Sequence, residues 1–433
     1  MTSQASFPSL NEVRLAVIGL GYVGLPLAVE FGKARATVGF DIDPQRIQQL
    51  RDGIDVTEEV TSEQLQAAGQ MTLSSDLADL KDCNVFIIAV PTPIDQHRQP
   101  NLKPLISASR TVGEVISKGD IVIYESTVYP GATEEDCLPV VEEVSGLTFN
   151  RDFYAGYSPE RINPGDKERP LPKIVKVTSG STPEVADVID ALYGTIITAG
   201  TFKAASMKVA EASKIIENTQ RDVSIALVNE LSIIFSHLDI DTSDVLDAAA
   251  TKWNFTRLSP GLVGGHCIGV DPYYLVHKSM AAGHIPDIIR TSREINDSMA
   301  QVAANRLLKA MIDNGARLKG ARVLMLGLTF KENCPDIRNT KVVDLAEALR
   351  EFGMTVDFCD TWIDAEEAKQ ELGEDALTEL PAAGANYDAV VLAVPHAEFL
   401  EAGAEALRAR LSDDGVFFDM KAAFARDESD LRL

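Results

Sequence analysis

Cysteine is scarce in this chain and nowhere paired. Five residues (Cys83, Cys137, Cys267, Cys334 and Cys359) are scattered over 433 positions, an odd number, with no CxxC pair and no histidines at metal-ligand spacing. That argues against a disulfide framework and against a metal site, and it points to the cytoplasm. No run of 18 apolar residues occurs, so no membrane-spanning helix is expected. The opening segment MTSQASFPSLNEVR has neither the basic start nor the apolar core of a secretory signal. Basic residues are in deficit: 40 Lys and Arg face 65 Asp and Glu, a net charge of −25. A surface of that sign repels phosphate backbones and anionic headgroups, which disfavours nucleic acid and membranes as partners. An anionic small molecule must then be met by local basic groups or helix N-termini. Low-complexity tracts and fixed-period repeats are also missing, which excludes a solenoid. What is present is globular: 45% hydrophobic and 24% charged residues, with length for two or three domains.

The first ordered segment, LAVIGLGYVGLPLAVEFGKA, is a β-branched apolar run that meets glycines and then turns helical. Strands follow at ATVGFDID, NVFIIAVPTP and DIVIYESTV, with helical patterns between them. Strands alternating with helices predict a doubly wound parallel sheet over the first 200 residues. From Lys203 to His237 there is no Gly and no Pro, and apolar residues recur at three and four. This predicts one long helix, or two in line, reaching roughly 50 Å and able to serve as a dimer core. Helical patterns continue to about Asn314. Alternation returns at Gly320, with strands at GARVLMLGL, MTVDFCD, YDAVVLAVP and GVFFDM and a helix over Thr340–Phe352. The expected organisation is α/β: two doubly wound domains (1–200 and 316–433) joined by a helical middle domain (201–315).

Gly19, Gly21 and Gly24 form GLGYVG between a strand and a helix, and Asp41 ends the next strand 17 residues beyond Gly24. The glycines permit a tight turn and close approach of a pyrophosphate, and the helix N-terminus offers amide donors. Asp41 suits ribose hydroxyls and repels a 2′-phosphate, so NAD is favoured over NADP. Arg46 complicates that reading, since it can cover an adenine or meet a phosphate. Two strand ends, Val90-Pro91-Thr92-Pro93 and Glu125-Ser126-Thr127-Val128, lie where such a sheet puts its ligand. Their hydroxyls either meet the nicotinamide ribose or a water, or merely cap the strands. Glu160 in YSPERINPGD is a surface-loop acid or a base. Lys214 and Asn218 share a helix face, beside Ile215 and Ile216, which read as buried. Lys214 is either solvated or a functional cation. In PGLVGGHCIGVDPYYL, four glycines surround Cys267, which is poor packing material and favours a nucleophile over an inert thiol. Asp271 follows four residues on. His266 lacks a second ligand nearby and reads as structural; His277 and His284 read as surface groups. Lys331, Arg338 and Lys341 cluster in TFKENCPDIRNTK, a place to grip an anion or merely a local charge cluster.

GLGYVGLPLA, ESTVYPG, SPER, AEASKIIENTQRDVSIALVNE, GLVGGHCIGVDPYYL and TFKENCPDIRNTK, in that order over nearly the whole chain, resemble the UDP-glucose/GDP-mannose dehydrogenase family. The resemblance implies an NAD-binding Rossmann domain, a helical middle with a dimerising helix, and a Rossmann-like domain for the nucleotide sugar. It implies oxidation of the C6 alcohol of a nucleotide sugar to a carboxylate with two NAD⁺. By matched position, Gly19, Gly21, Tyr22, Val23, Gly24, Asp41, Arg46, Thr92 and Thr127 would hold NAD. Cys267 resembles the catalytic thiol, and Lys214 with Asn218 the pair that holds the oxygen at C6. Asp271 resembles the acid that positions Lys214 and a water, Thr127 the water-holding threonine, and Glu160 the loop carboxylate. Arg161, Gly264, Lys331 and Arg338 fall in the implied substrate site, with Arg257 donated across a homodimer. One departure concerns the family's second loop Glu, replaced here by Pro164, and the ending Gly269-Val270-Asp271 of the Cys loop. These forms are more similar to the UDP-N-acetylhexosamine branch, which serves surface polysaccharide. A two-electron hydroxyacid or 6-phosphogluconate-like dehydrogenase needs neither Cys267 nor a second α/β domain. Intact Cys267, Lys214 and Asn218 argue against a non-catalytic nucleotide-sugar-binding regulator.

Overall fold

The computed structural model of the chain describes residues 7–57, 59–95, 97–162, 169–265 and 268–433. It divides into two compact units, one of Met1–Glu217 with Tyr273–Gly283 and one of Asn218–Pro272 with His284–Leu433. The helical stretch expected over 201–315 is therefore shared between the units, and the division falls inside its long helix.

The first unit is built on six strands: β1 (Leu15–Ile18), β2 (Thr37–Phe40), β3 (Met71–Ser74), β4 (Val85–Ile88), β5 (Ile121–Tyr124) and β6 (Tyr154–Tyr157). They lie in the order β3-β2-β1-β4-β5-β6 and all pair in parallel. The order reverses direction between β1 and β4, as the doubly wound reading requires. β1 (LAVI), β4 (VFII) and β5 (IVIY) are buried at every position because helices cover both faces. β3 and β6 were not expected, since MTLS and YAGY carry too weak an apolar signal. A small parallel pair, β7 (Lys176–Thr178) and β8 (Thr201–Lys203), completes this unit. β8 takes the residues up to Lys203, so the long helix begins four residues later than expected, as Met207–His237. Its 31 residues span roughly 46 Å.

The second unit repeats the plan with β9 (Arg322–Leu326), β10 (Thr355–Cys359), β11 (Ala376–Leu377), β12 (Tyr387–Leu392), β13 (Leu411–Asp419) and β14 (Leu431–Arg432). The order β11-β10-β9-β12-β13-β14 matches that of the first sheet, again wholly parallel. The four expected strands are present; β11 and β14 are two-residue additions at the edges. The helix expected over Thr340–Phe352 runs Val342–Arg350. Each unit has its own apolar core, centred on Leu15, Leu25, Phe31 and Ile123 in the first and on Val323, Met325, Leu345 and Phe418 in the second. Among the described residues no helix is long and apolar enough to cross a membrane, and no cluster of three His, Cys, Asp or Glu could hold a metal ion.

Asp120, just before β5, is 7% exposed and accepts the Ser117 N–H at 2.7 Å. Burial pushes its carboxyl up to about 7, with Ser117 and Arg14 opposing. A folded-state value raised above the unfolded one means stability present at low pH and lost as pH rises towards 7. Asp120→Asn keeps an acceptor for Ser117 and removes that loss. Its stability advantage over the unmodified protein should widen by about 2 kcal/mol between pH 5 and pH 8 in urea titrations. A difference that stays flat with pH contradicts this.

Candidate active site

The turn after β1 is shaped by what its glycines leave out. Gly19 has φ +92°, and a Cβ there would come within 2.9 Å of the Ala89 carbonyl oxygen. A Cβ on Gly24 would run into the carbonyl of Gly19, so this glycine lets the helix Gly24–Ala34 start directly against the turn. Gly21 faces open space, with nothing within 4 Å of its would-be Cβ. That helix has no side-chain cap at Val23, which leaves its N-terminal end suited to a phosphate. Asp41, at the end of β2, accepts the Leu20 N–H at 2.8 Å and the Asp43 N–H at 3.0 Å. It is only partly buried, so its carboxylate retains lone pairs towards solvent. Arg46 is buried behind the turn: Nε donates to the Leu20 carbonyl at 3.0 Å and Nη2 pairs with Asp55 at 2.7 Å. It braces the loop from inside. Asp55 was not foreseen; although burial opposes it, Arg46 and Thr57 hold its carboxyl below the ordinary carboxylate value.

The neighbouring strand ends are stitched together. Thr92 Oγ1 donates to the Thr127 carbonyl at 2.7 Å, Ser126 Oγ to the Val90 carbonyl at 2.6 Å, and Tyr274 OH to the Thr92 carbonyl at 2.9 Å. Thr127 is partly exposed, and its hydroxyl is left for a ligand. Glu160 is buried, and not the surface-loop acid that one reading of SPER allowed. Its Oε1 accepts the Arg161 and Ile162 N–H groups at 2.5 and 2.6 Å, and its Oε2 lies 3.0 Å from Lys176 Nζ. Lys176 also pairs with Glu125 at 2.8 Å, and Tyr193 OH donates to the same Glu125 carboxylate. The sequence reading missed Lys176; its signal was a lysine inside the apolar strand KIVKVT. Arg161 is tied to Glu217 at 2.8 Å and to the Val175 carbonyl at 3.0 Å.

On the long helix Lys214 is 8% exposed, so the solvated reading of this lysine does not hold. Ile215 is buried as expected, but Ile216 is 56% exposed, because one step of about 100° carries it off the packed face. A little further along, in the second unit, Asn218 Nδ2 donates to Asp271 Oδ2 at 2.6 Å. Asp271 is 3% exposed and opens the helix Asp271–Ala281. Glu211, a turn before Lys214, caps the ESTVYPG turn by accepting Gly131 N at 2.5 Å and Thr133 N at 3.0 Å. Arg257 is exposed and held by Asp247 at 2.7 Å and Ser259 at 3.1 Å. Cys267, His266 and Pro164 lie outside the described residues.

The second unit holds a cavity of about 100 Å³ lined among others by Gly264, Thr329, Lys331, Lys341 and Lys421. Three lysines converge there in a chain of net charge −25. Lys341 is paired with Asp344 at 2.7 Å. Burial pushes the Lys421 ammonium below its ordinary value, with Glu332 opposing. Glycine is needed at two approaches: a Cβ at Gly264 would sit 2.6 Å from the Asn339 carbonyl oxygen, and one at Gly261 would meet Lys421 Nζ. Lys421, some 90 residues beyond Lys331, was not foreseen. Arg338 does not line this cavity; it is exposed and bound bidentately by Asp336 at 2.6 and 2.9 Å.

A dinucleotide cradle with an acidic strand end, joined in one chain to a lysine-lined cavity, defines an NAD-binding oxidoreductase with a second anionic ligand. The chain matches the UDP-glucose/GDP-mannose dehydrogenase family over its NAD binding domain (residues 13–197), central domain (208–298) and UDP binding domain (324–426), and belongs to that family. It is 58% identical to UDP-N-acetyl-D-glucosamine 6-dehydrogenase of Pseudomonas aeruginosa, over 98% of this chain and 100% of that protein. It is 54% identical to the Salmonella typhi enzyme of the same name (98% and 99%) and 52% to Protein CapL of Staphylococcus aureus (96% and 97%). Among solved structures it is similar to UDP-D-ManNAc dehydrogenase of Pyrococcus horikoshii, with TM-score 0.87 and 30% identity over 97% of this chain and 98% of that one.

The geometry around Asp41 predicts the cofactor behaviour of a variant. Asp41→Ala removes both the ribose acceptor and the brace on Leu20. Its KM for NAD⁺ should rise by roughly tenfold or more while that for NADP⁺ rises less, since a hydrogen bond to a charged group contributes about 1.5–3 kcal/mol. An unchanged preference for NAD⁺ over NADP⁺ in kcat/KM contradicts this.

Proposed function

We propose that this protein oxidises the C6 alcohol of UDP-N-acetyl-D-glucosamine to the uronate, with two NAD⁺ reduced per sugar. The observation that carries the choice of sugar is the 58% identity, over 98% of the chain, to a protein of that activity. NAD⁺ accepts hydride, and the cradle of Gly19, Gly21, Gly24 and Asp41 suits it: the glycine side is open and the acid is at ribose distance from the turn. In this reading Lys214 and Asn218 hold the oxygen at C6, where negative charge develops and where fixed donors accelerate the reaction most. Asp271 fixes the Asn218 amide, and the Thr127 hydroxyl holds a water. The first oxidation removes hydride from C6 and the proton of its hydroxyl, giving an aldehyde. An aldehyde has no second hydride in position to leave, so the Cys267 thiolate adds to form a thiohemiacetal. Loss of hydride from that adduct gives a thioester, and water releases the carboxylate and the thiol.

The cavity with Lys331, Lys341 and Lys421 is the proposed place for the pyrophosphate, which supplies the negative charge those ammonium groups lack. Arg161, Arg257 and Arg338 each sit in an ion pair at or near the surface. Recruiting them to substrate requires exchange of a pair that contributes only about 0–1 kcal/mol. A homodimer is part of this proposal. Val209, Ile216, Leu227 and Ile234 remain 44–58% exposed along the long helix, a stripe of near-heptad spacing that a second copy would cover. A cytoplasmic setting is supported by the four described cysteines, all of which are free.

The decisive experiment scores NADH formation against a panel of UDP-sugars. UDP-N-acetyl-D-glucosamine should give two NADH per sugar acid and faster turnover than UDP-glucose; faster turnover of UDP-glucose reverses the assignment. Cys267→Ser should lower steady turnover by orders of magnitude with NAD⁺ binding intact, whereas uronate at near the unmodified rate removes Cys267 from the nucleophile role. Light scattering at micromolar concentration should give twice 46.9 kDa. Ile216→Glu with Leu227→Glu should return the mass of a single chain, and an unmodified protein that is already of single-chain mass ends the dimer reading.

A further inference from the structure

Three charged side chains are buried together in the first unit, where each by itself would be costly. Lys176, on β7, reaches Glu125 Oε2 at 2.8 Å and Glu160 Oε2 at 3.0 Å and is 2% exposed. Glu125, directly after β5, is 1% exposed and also takes the Tyr193 hydroxyl from the helix Pro183–Gly194. Glu160 spends its other oxygen on the backbone N–H groups of Arg161 and Ile162. One ammonium thus faces two carboxylates, so the group carries an excess negative charge when both are ionised. The charged and titratable groups facing it are Lys176 from β7, Glu125 from β5, Glu160 from its loop and Tyr193 from the helix. Glu125 is two residues from Thr127, so the group ties the loop carboxylate to the strand end that carries the free threonine hydroxyl.

We propose that Lys176 is a positioning residue for the oxidation: with Glu125 it fixes the orientation and the ionised state of the Glu160 carboxylate. The inference rests on the reading above that Glu160 belongs to the reaction site. A loop acid held only by its own backbone would swing and would take up a proton readily in an apolar pocket. Lys176 prevents both. Burial pushes Glu125 up to about 6 against the pull of Lys176, so the two acids ionise as a pair within the working pH range.

The two partners of Glu160 act on its ionisation with opposite sign. Removing a cation makes the remaining carboxylates harder to ionise; removing the like charge makes the survivor easier to ionise. Lys176→Met should therefore move the acidic limb of the kcat profile up by about one pH unit, and Glu125→Gln should move it down. In Lys176→Met, kcat should fall on the order of 10²-fold, with the Kd for NAD⁺ within threefold, and Lys176→Arg should recover most of it. Infrared titration of the protonated-carboxyl band reads the same two opposite shifts with no turnover. A structural defect would lower rates and move neither the limb nor the band. Shifts of the same sign, or none, overturn the proposal. If Lys176→Met does not fold, Glu125→Gln, which leaves the Lys176–Glu160 contact in place, decides: a limb or band that does not move down overturns it. NADH formation by the unmodified protein tests the substrate reading separately, and the infrared arm stands whatever that control gives.

Discussion

Level strand ends are the constraint on which the first unit depends. The parallel register pairs Ile18 with Phe40 and with Ile88, Ile88 with Tyr124, and Tyr124 with Tyr157. Each strand therefore stops at one line, and each following residue donates to its neighbour: Gly19 N to Phe40, Ala89 N to Ile18, Glu125 N to Ile88 and Ser158 N to Tyr124. The glycine turn, the Thr92 loop, the Thr127 loop and the Glu160 loop leave the sheet side by side. A one-residue slip would send alternate side chains to the wrong face of the sheet. The apolar runs LAVI, VFII and IVIY prevent it by demanding burial on both faces.

The second sheet uses the same device for a different end. Gly327 follows β9 with φ +87° as Gly19 follows β1 with φ +92°, and each donates its N–H to the last residue of the next strand, Cys359 and Phe40 respectively. The acid after that strand braces the turn in both: Asp41 accepts Leu20 N, and Asp360 accepts Leu328 N at 2.6 Å and Thr329 N at 3.1 Å. Their surroundings separate them. Asp360 is wholly buried and further occupied by Trp362 N and His396 Nε2. His396 in turn accepts Asn333 N through Nδ1, so the loop carrying Lys331 is closed around an imidazole whose hydrogen sits on Nε2. Asp41 stays partly open. The duplicated turn is thus a ligand cradle in one unit and a loop anchor in the other, decided by what packs on the acid.

What could be read in the sequence was local. GLGYVG with Asp41, the apolar strands and the Gly-free helix each declare themselves within a few residues, because sterics and periodicity act over one turn or one strand. The misses depend on residues that meet only in the fold. Lys176 finds Glu125 51 positions away and Glu160 16 away; Lys421 joins Lys331 across β10 to β13. Arg46 was legible as a charge near the turn but not as a brace, since its partner Asp55 lies on the far side of a helix. Ile216 failed for the opposite reason: an isoleucine in a helix reads as core, and exposure for a second copy leaves no local mark.

Lys176 and Lys421 show how one residue type serves two ends through its counter-charges. Burial alone would discharge either ammonium. At Lys176 two carboxylates more than offset burial and its proton affinity rises. At Lys421 only Glu332 opposes burial, and its proton affinity falls. The first site is electrostatically complete and rigid, as a positioning group must be. The second is short of negative charge, and the lining contains two more lysines, one already committed to Asp344. An anion entering that cavity supplies to Lys421 what Glu125 and Glu160 supply to Lys176. Binding of such a ligand should therefore draw a proton onto the protein at alkaline pH, because the same contact that holds the anion restores the proton affinity that burial removed.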